Sequence, residues 1–207
     1  MSRWESDLVV LVPDKNLEAV IAGLLSRTQA LDIRHMKFKI YVHACRDSGC
    51  FLDSHNFLRP WTDLYAHALV LFDRFGCGQE AQPRESLEQI VERRLSDAGW
   101  NDRAAVIVLD PELEIWVWSS SPHVDRCLGW EGKQPKLRPW LCSQGLWPEN
   151  MTKPSDPKKA IEQALRKVRK PRSSSLYEQL AKSVSLQGCS DQAFAKFKEI
   201  LQKWALA

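Results

Sequence analysis

The chain has 207 residues, of which 44% are hydrophobic and 27% charged, and its formal net charge is +3. That is enough sequence to bury a full core, and the balance is that of an ordinary globular protein, which argues against overall disorder. The net charge is too small to imply nucleic acid by itself, no apolar stretch approaches membrane-spanning length, and Met1-Ser2-Arg3-Trp4-Glu5 has no apolar signal core, so the reading places the protein in the cytoplasm.

Helix and strand patterns alternate from the start. The apolar run 8–12 reads as a buried strand, and 17–25 places Leu17, Val20, Ile21, Leu24 and Leu25 at helical spacing. Residues 36–42 alternate apolar and polar, as a half-buried strand does, and Asp47, Ser48 and Gly49 mark a loop after it. A short helix is expected over 57–66 after Pro60, followed by a strand over 68–72 and a turn at Gly76 and Gly78. Residues 84–98 carry Leu87, Ile90, Val91 and Leu95 on one face, with Gly99 placed to close the helix, and 106–109 is the next buried strand.

Beyond this point the pattern is helical. Ser121 and Pro122 read as the start of a helix over 124–128 that Gly129 stops. Ser155-Asp156-Pro157 begins a helix carrying Ala160, Ile161, Ala164, Leu165 and Val168, and 176–184 and 193–204 follow, with Arg172-Ser173-Ser174-Ser175 as a joint. The expected organisation is an α/β domain over 1–130 and a helical region over 131–207, either packed on the sheet or forming its own bundle.

Three of the apolar runs end in acids: Asp14 and Glu18 after the first, Asp73 after 68–72, and Asp110, Glu112 and Glu114 after 106–109. In open α/β sheets ligands sit beyond the carboxyl ends of the strands, so these acids could converge and hold a divalent cation. Taken singly, each reads first as a structural residue, with Asp14, Glu18 and Glu112 as helix caps that meet the helix dipole. Residues 153–172 hold Lys153, Lys158, Lys159, Arg166, Lys167, Arg169, Lys170 and Arg172 against only Asp156 and Glu162. Such a face can follow a phosphate backbone, or it can be a solvated helix surface.

Trp116, Trp118, Trp130, Trp140 and Trp147 favour packing or partner binding over stacking on unpaired bases, and His123 reads as a capping or surface residue rather than a proton carrier. Six scattered cysteines without a Cys-x-x-Cys pair read as reduced thiols. The spacing of His43, Cys45, Cys50 and His55 fits no common zinc pattern and reads as small buried thiols and surface imidazoles on a loop.

A strand ending in Asp14 with Glu18 four residues on, a second strand ending in Asp73, and a third followed by Pro111-Glu112-Leu113-Glu114-x-Trp116 is similar to the Toprim fold. The form it resembles occurs in small bacterial proteins and in overcoming-lysogenization-defect-type nucleases. The resemblance spans about residues 8–118 and implies a mostly parallel four-stranded sheet flanked by helices, with a helical C-terminal appendage. It also implies magnesium, with manganese as a substitute, and phosphodiester chemistry on nucleic acid. Carried over, Asp73, Asp14 and Glu112 or Glu114 would hold the cation, and Glu18 with Asp14 would serve the nucleophile. Lys15 stands where the family has glycine, and Phe75 stands where the second acid of Asp-x-Asp would be.

The chain as a whole also resembles a small accessory protein of bacterial methylation-associated antiphage defence systems, which implies that setting and protein partners within it. In the nuclease reading Lys158, Lys159, Arg166, Lys167, Arg169, Lys170 and Arg172 would contact nucleic acid. The alternative is a catalytically degenerate adaptor that uses tryptophan-rich and basic surfaces to bind a larger nuclease, helicase or methyltransferase subunit.

Overall fold

The computed structural model describes residues 4–119, 121–187 and 189–205. Strands β1 (Ser6–Val12), β2 (Phe38–Val42), β3 (Tyr65–Asp73) and β4 (Ala104–Leu109) form one sheet in the order β2-β1-β3-β4, with every neighbouring pair parallel. Successive strand residues point to opposite faces, and here both faces are covered. Leu8, Val10, Leu69, Leu71 and Ile107 enter one core; Val9, Leu11, Val70, Phe72 and Val106 enter the other. This double burial is why the runs are apolar without alternation.

Helix α1 (Lys15–Leu25) packs on the first face, followed by the single turn α2 (Thr28–Leu31). Asp14 caps α1 through Oδ1, which accepts the N–H groups of Asn16 and Leu17, each at 2.9 Å. Helices α3 (Arg46–Leu58) and α4 (Arg84–Leu95) cover the second face. The chain leaves α4 through one wide turn, Ser96–Trp100, in which Gly99 takes φ +102°, the conformation the sequence reserved for it.

The expected loop at 47–49 and helix at 57–66 are corrected by α3. The helix starts at Arg46, only one tight turn (Arg59–Trp61) follows it, and β3 begins at Tyr65. Asp-Ser-Gly has the composition of a turn, but Cys50, Phe51, Ser54 and Leu58 bury one helical stripe against the sheet, and that burial overrides local propensity. His43, expected at the surface, is buried.

After β4 come α5 (Glu114–Val117), α6 (Pro122–Cys127), α7 (Leu137–Ser143), α8 (Pro157–Val168), α9 (Ser174–Ser183) and α10 (Gln192–Ala205). They share the first core with the sheet, so of the two expectations for this region it is packing on the sheet that is observed. Gly23 lets α9 lie close on α1: a Cβ there would come within 2.9 Å of the Ala181 Cβ. Helix α10 closes the β4 edge together with α4. Glu88 and Glu92 accept the N–H groups of Val108 and Val106, both at 3.0 Å, while Lys196 donates to the Val106 carbonyl at 2.9 Å and to both carboxylates. The exposed ladder of an edge strand is thereby satisfied from within the chain. Among the described residues no helix is long and apolar enough to cross a membrane.

At the opposite end of β3, His67 stacks on Trp204 of α10 with ring centroids 4.5 Å apart, and its Nδ1 is buried without a hydrogen-bond partner among the described residues. Burial, then the nearby Arg103, lowers its pKa to about 4 from 6.5, against a weaker upward pull from Asp7. The unfolded chain therefore binds the proton more readily than the folded one between these values. Stability from this residue is complete above pH 6.5 and is lost as pH falls towards 4. Urea denaturation across that range is expected to lose on the order of 2 kcal/mol through His67, and His67→Phe is expected to flatten that part of the profile.

Candidate functional site

Helices cross from β1 to β2 on one side of the sheet and from β3 to β4 on the other. The crevice between the carboxyl ends of β1 and β3 is thus the topological switch point, where a sheet of this kind opens to a ligand. Asp14 follows β1 and Asp73 ends β3, so the fold sets these two acids on either side of that crevice. A third joins them from the first turn of α3: Asp47 Oδ1 accepts the N–H of Asp73 at 2.8 Å. Asp73 Oδ1 in turn accepts the N–H of Leu113 at 2.9 Å, tying the end of β3 to the start of α5. In the sequence Asp47 reads only as part of a loop and not as one of the strand-end acids, although it follows β2 as the other acids follow their strands.

The strand-end acids do converge electrostatically. Burial, and then the charges of Asp47, Glu114, Glu112 and Asp14, push the Asp73 carboxyl well above the usual carboxylate range. Burial also raises Asp47, with Asp14 adding to the rise and its bond to the Asp73 amide and the more distant Lys158 opposing it. One oxygen of each of these acids is committed to the backbone. The Oδ2 atoms of Asp14 and Asp73 have no hydrogen-bond donor among the described residues.

The acids after β4 are in a different state. Lys158, from the first turn of α8, donates to Glu112 Oε2 at 3.0 Å. Glu114 is 1% exposed, and its Oε1 accepts from Arg172 at 2.6 Å and from the Tyr177 hydroxyl. Burial and Glu114 hold the Tyr177 phenol above its ordinary value, so it stays a donor. Arg172 is held up by Tyr177 and Glu114 although burial pulls it down. Lys153 completes the set with a bond to the Ile115 carbonyl at 2.7 Å. One basic segment thus returns three cations to three residues of the acidic turn, Glu112, Glu114 and Ile115.

The remaining sequence candidates lie apart from this centre or are otherwise engaged. Glu18 pairs with Lys15 at 2.6 Å on the flank of α1. Of the basic residues, Lys158 and Arg172 are spent on Glu112 and Glu114, and Lys170 donates to the Cys127 carbonyl at 2.6 Å. Lys159, Arg166, Lys167 and Arg169 are exposed and make no ion pair among the described residues. The tryptophans are packing residues. Trp118 packs edge-on against Trp147, Trp130 tilts against Trp140, and Trp116 bonds Asp191 and meets Phe194, so the surface rich in tryptophan is not formed. His123 lies on α6, in the field of Glu131. Phe75, in the place of the second Asp-x-Asp acid, is 68% exposed beside the acidic crevice.

As the side chains stand, the donor set does not fit a divalent cation. Among the described residues no three His, Cys, Asp or Glu side chains come together in a way that would hold one. Two of the four expected ligands already face cations of the chain itself. No family model matches the chain, and neither does any curated protein or solved structure.

The crowding at Asp73 gives a direct check. Asp73→Asn keeps the oxygen that accepts the Leu113 amide and removes the charge that four neighbours oppose. Urea denaturation at neutral pH without divalent ions is expected to show a gain of about 1 kcal/mol for the variant. A loss of that size would mean that the charge is compensated and the repulsive cluster misread.

Proposed function

We propose that the protein is a catalytically degenerate Toprim-like adaptor of a bacterial antiphage defence system, binding a larger nuclease, helicase or methyltransferase subunit. One observation carries this reading: the carboxylates that a cation would need after β4 are occupied by Lys158 and by Arg172 with Tyr177. A carboxylate already neutralised inside the protein has little charge left to offer a hard ion, and freeing it would leave an arginine or lysine partly buried and unpaired. Phe75 supports the same reading, since it presents an exposed aromatic ring at the edge where the Toprim pattern has an acid. The exposed cations of α8 and its C-cap, Lys159, Arg166, Lys167 and Arg169, which make no ion pair among the described residues, are the groups left to meet a phosphate backbone.

A magnesium-dependent nuclease is the second reading. It is favoured by the uncompensated negative charge around Asp73. The two readings diverge in a single preparation of the full chain. Calorimetric titration with magnesium and with manganese is expected to show no saturable binding in the millimolar range, and DNA and RNA are expected to survive incubation with either ion. The partner subunit, co-expressed from the neighbouring gene, is expected to co-purify with the wild type and to be lost with Phe75→Glu. Metal-dependent cleavage that disappears in Asp73→Asn would overturn the adaptor reading in favour of the nuclease.

A further inference from the structure

A cavity of about 400 Å³ lies between α1, α5, α9 and the segment 149–153. Packing defects in protein interiors seldom exceed a water molecule, whereas small-molecule sites run from about 300 to 1,000 Å³. Its inner walls are apolar: Val20 and Leu24 from α1, Val117 from α5, and Leu180 and Val184 from the α9 side. Four aromatic side chains also line it, Phe194 and three others whose polar atoms are engaged outside the space. Trp116 Nε1 bonds Asp191, Trp118 Nε1 bonds the Pro157 carbonyl, and the Tyr177 hydroxyl bonds Glu114. Only the hydrocarbon of these rings is left for an occupant, and water in the inner part would find few partners.

The rim is polar and carries a fixed cation. The Arg138 guanidinium lies over the Trp147 ring at 5.1 Å and gives one N–H to the Met151 carbonyl at 3.2 Å, and its other donors have no hydrogen-bond partner among the described residues. Lys153, on the same rim, is already bound to the Ile115 carbonyl, and Glu149 is the one acid among the lining residues. We propose that this cavity binds a small amphiphilic anion, with an aromatic or aliphatic body against the apolar walls and a single carboxylate- or sulfonate-like group at Arg138. This site lies outside the acidic crevice and does not depend on the adaptor reading. The two share the helix α5, because Leu113, which lines the cavity, donates its amide to Asp73, and Tyr177, which also lines it, holds Glu114.

The test uses anilinonaphthalene sulfonate, an aromatic body with one anionic group, titrated into the full chain. The expected result is saturable binding of one equivalent, with a blue-shifted emission and a rise in melting temperature. Arg138→Glu, an exposed substitution that leaves the core intact, is expected to weaken binding about tenfold. Leu24→Trp and Val184→Phe, which fill the space from two sides, are expected to abolish both the saturable fluorescence and the thermal shift. Non-saturable binding to the wild type would overturn the proposal. So would affinity unchanged in Arg138→Glu together with an unchanged thermal shift in whichever filled variant retains a cooperative melt.

Discussion

Glu114 sits in the protein interior with almost no contact with water, and a carboxylate in that position is tolerable only if its charge and its lone pairs are met. Arg172, from the segment that joins α8 to α9, meets the charge, and with Tyr177 of α9 it meets the lone pairs of Oε1. That requirement brings the C-terminal helices back across the carboxyl edge of the sheet. Lys158 on Glu112 and Lys153 on the Ile115 carbonyl fix the same return at two more points. With α9 lying close on α1 at Gly23 and Ala181, the helical region forms a layer of the fold rather than an appendage free of it.

The consequence for the crevice is an uneven distribution of charge. On the β4 side the acids are neutralised from within; on the β1 and β3 side Asp14, Asp47 and Asp73 lie in one another's electrostatic field, each giving one oxygen to the backbone. Those amide bonds place the acids and reinforce the turns after the strands, which for Asp14 and Asp73 is a structural use of residues that the Toprim resemblance would assign to metal. An exposed Phe75 at the same edge, and four cations on α8 and its C-cap without ion-pair partners among the described residues, are the surfaces on which the proposed adaptor role rests.

Much of the sheet was legible in the sequence, because strands buried on both faces leave unbroken apolar runs such as Leu8 to Val12 and because Asp14, Asp156 and Gly99 punctuate their helices as free residues of those types would. Helix α3 was not legible. Its start has turn composition, and its stripe of Cys50, Phe51, Ser54 and Leu58 is too mixed to signal a helix without the sheet beneath it. Losing α3 also hid Asp47, an acid recognisable as a strand-end residue only once its helix is placed. The basic run was legible as charge but not as function. Whether Lys158 and Arg172 face phosphate or protein depends on Glu112 and Glu114, 46 and 58 residues away, and no local pattern encodes a pairing at that distance. The tryptophans were read correctly as packing residues in kind, but their partners, such as Phe194 for Trp116, belong to the tertiary fold alone.

Neutralisation of Glu114 by Arg172 is the interaction on which both the fold of the C-terminal layer and the proposed adaptor role turn, and a double-mutant cycle measures it most directly. Glu114→Gln, Arg172→Met and the pair are unfolded in urea at neutral pH. A coupling free energy of about 2 kcal/mol, with Arg172→Met the more damaging single change because it strands a buried carboxylate, is the expected result. Single changes that add within about 0.5 kcal/mol would contradict it, and would leave Glu114 free for another cation.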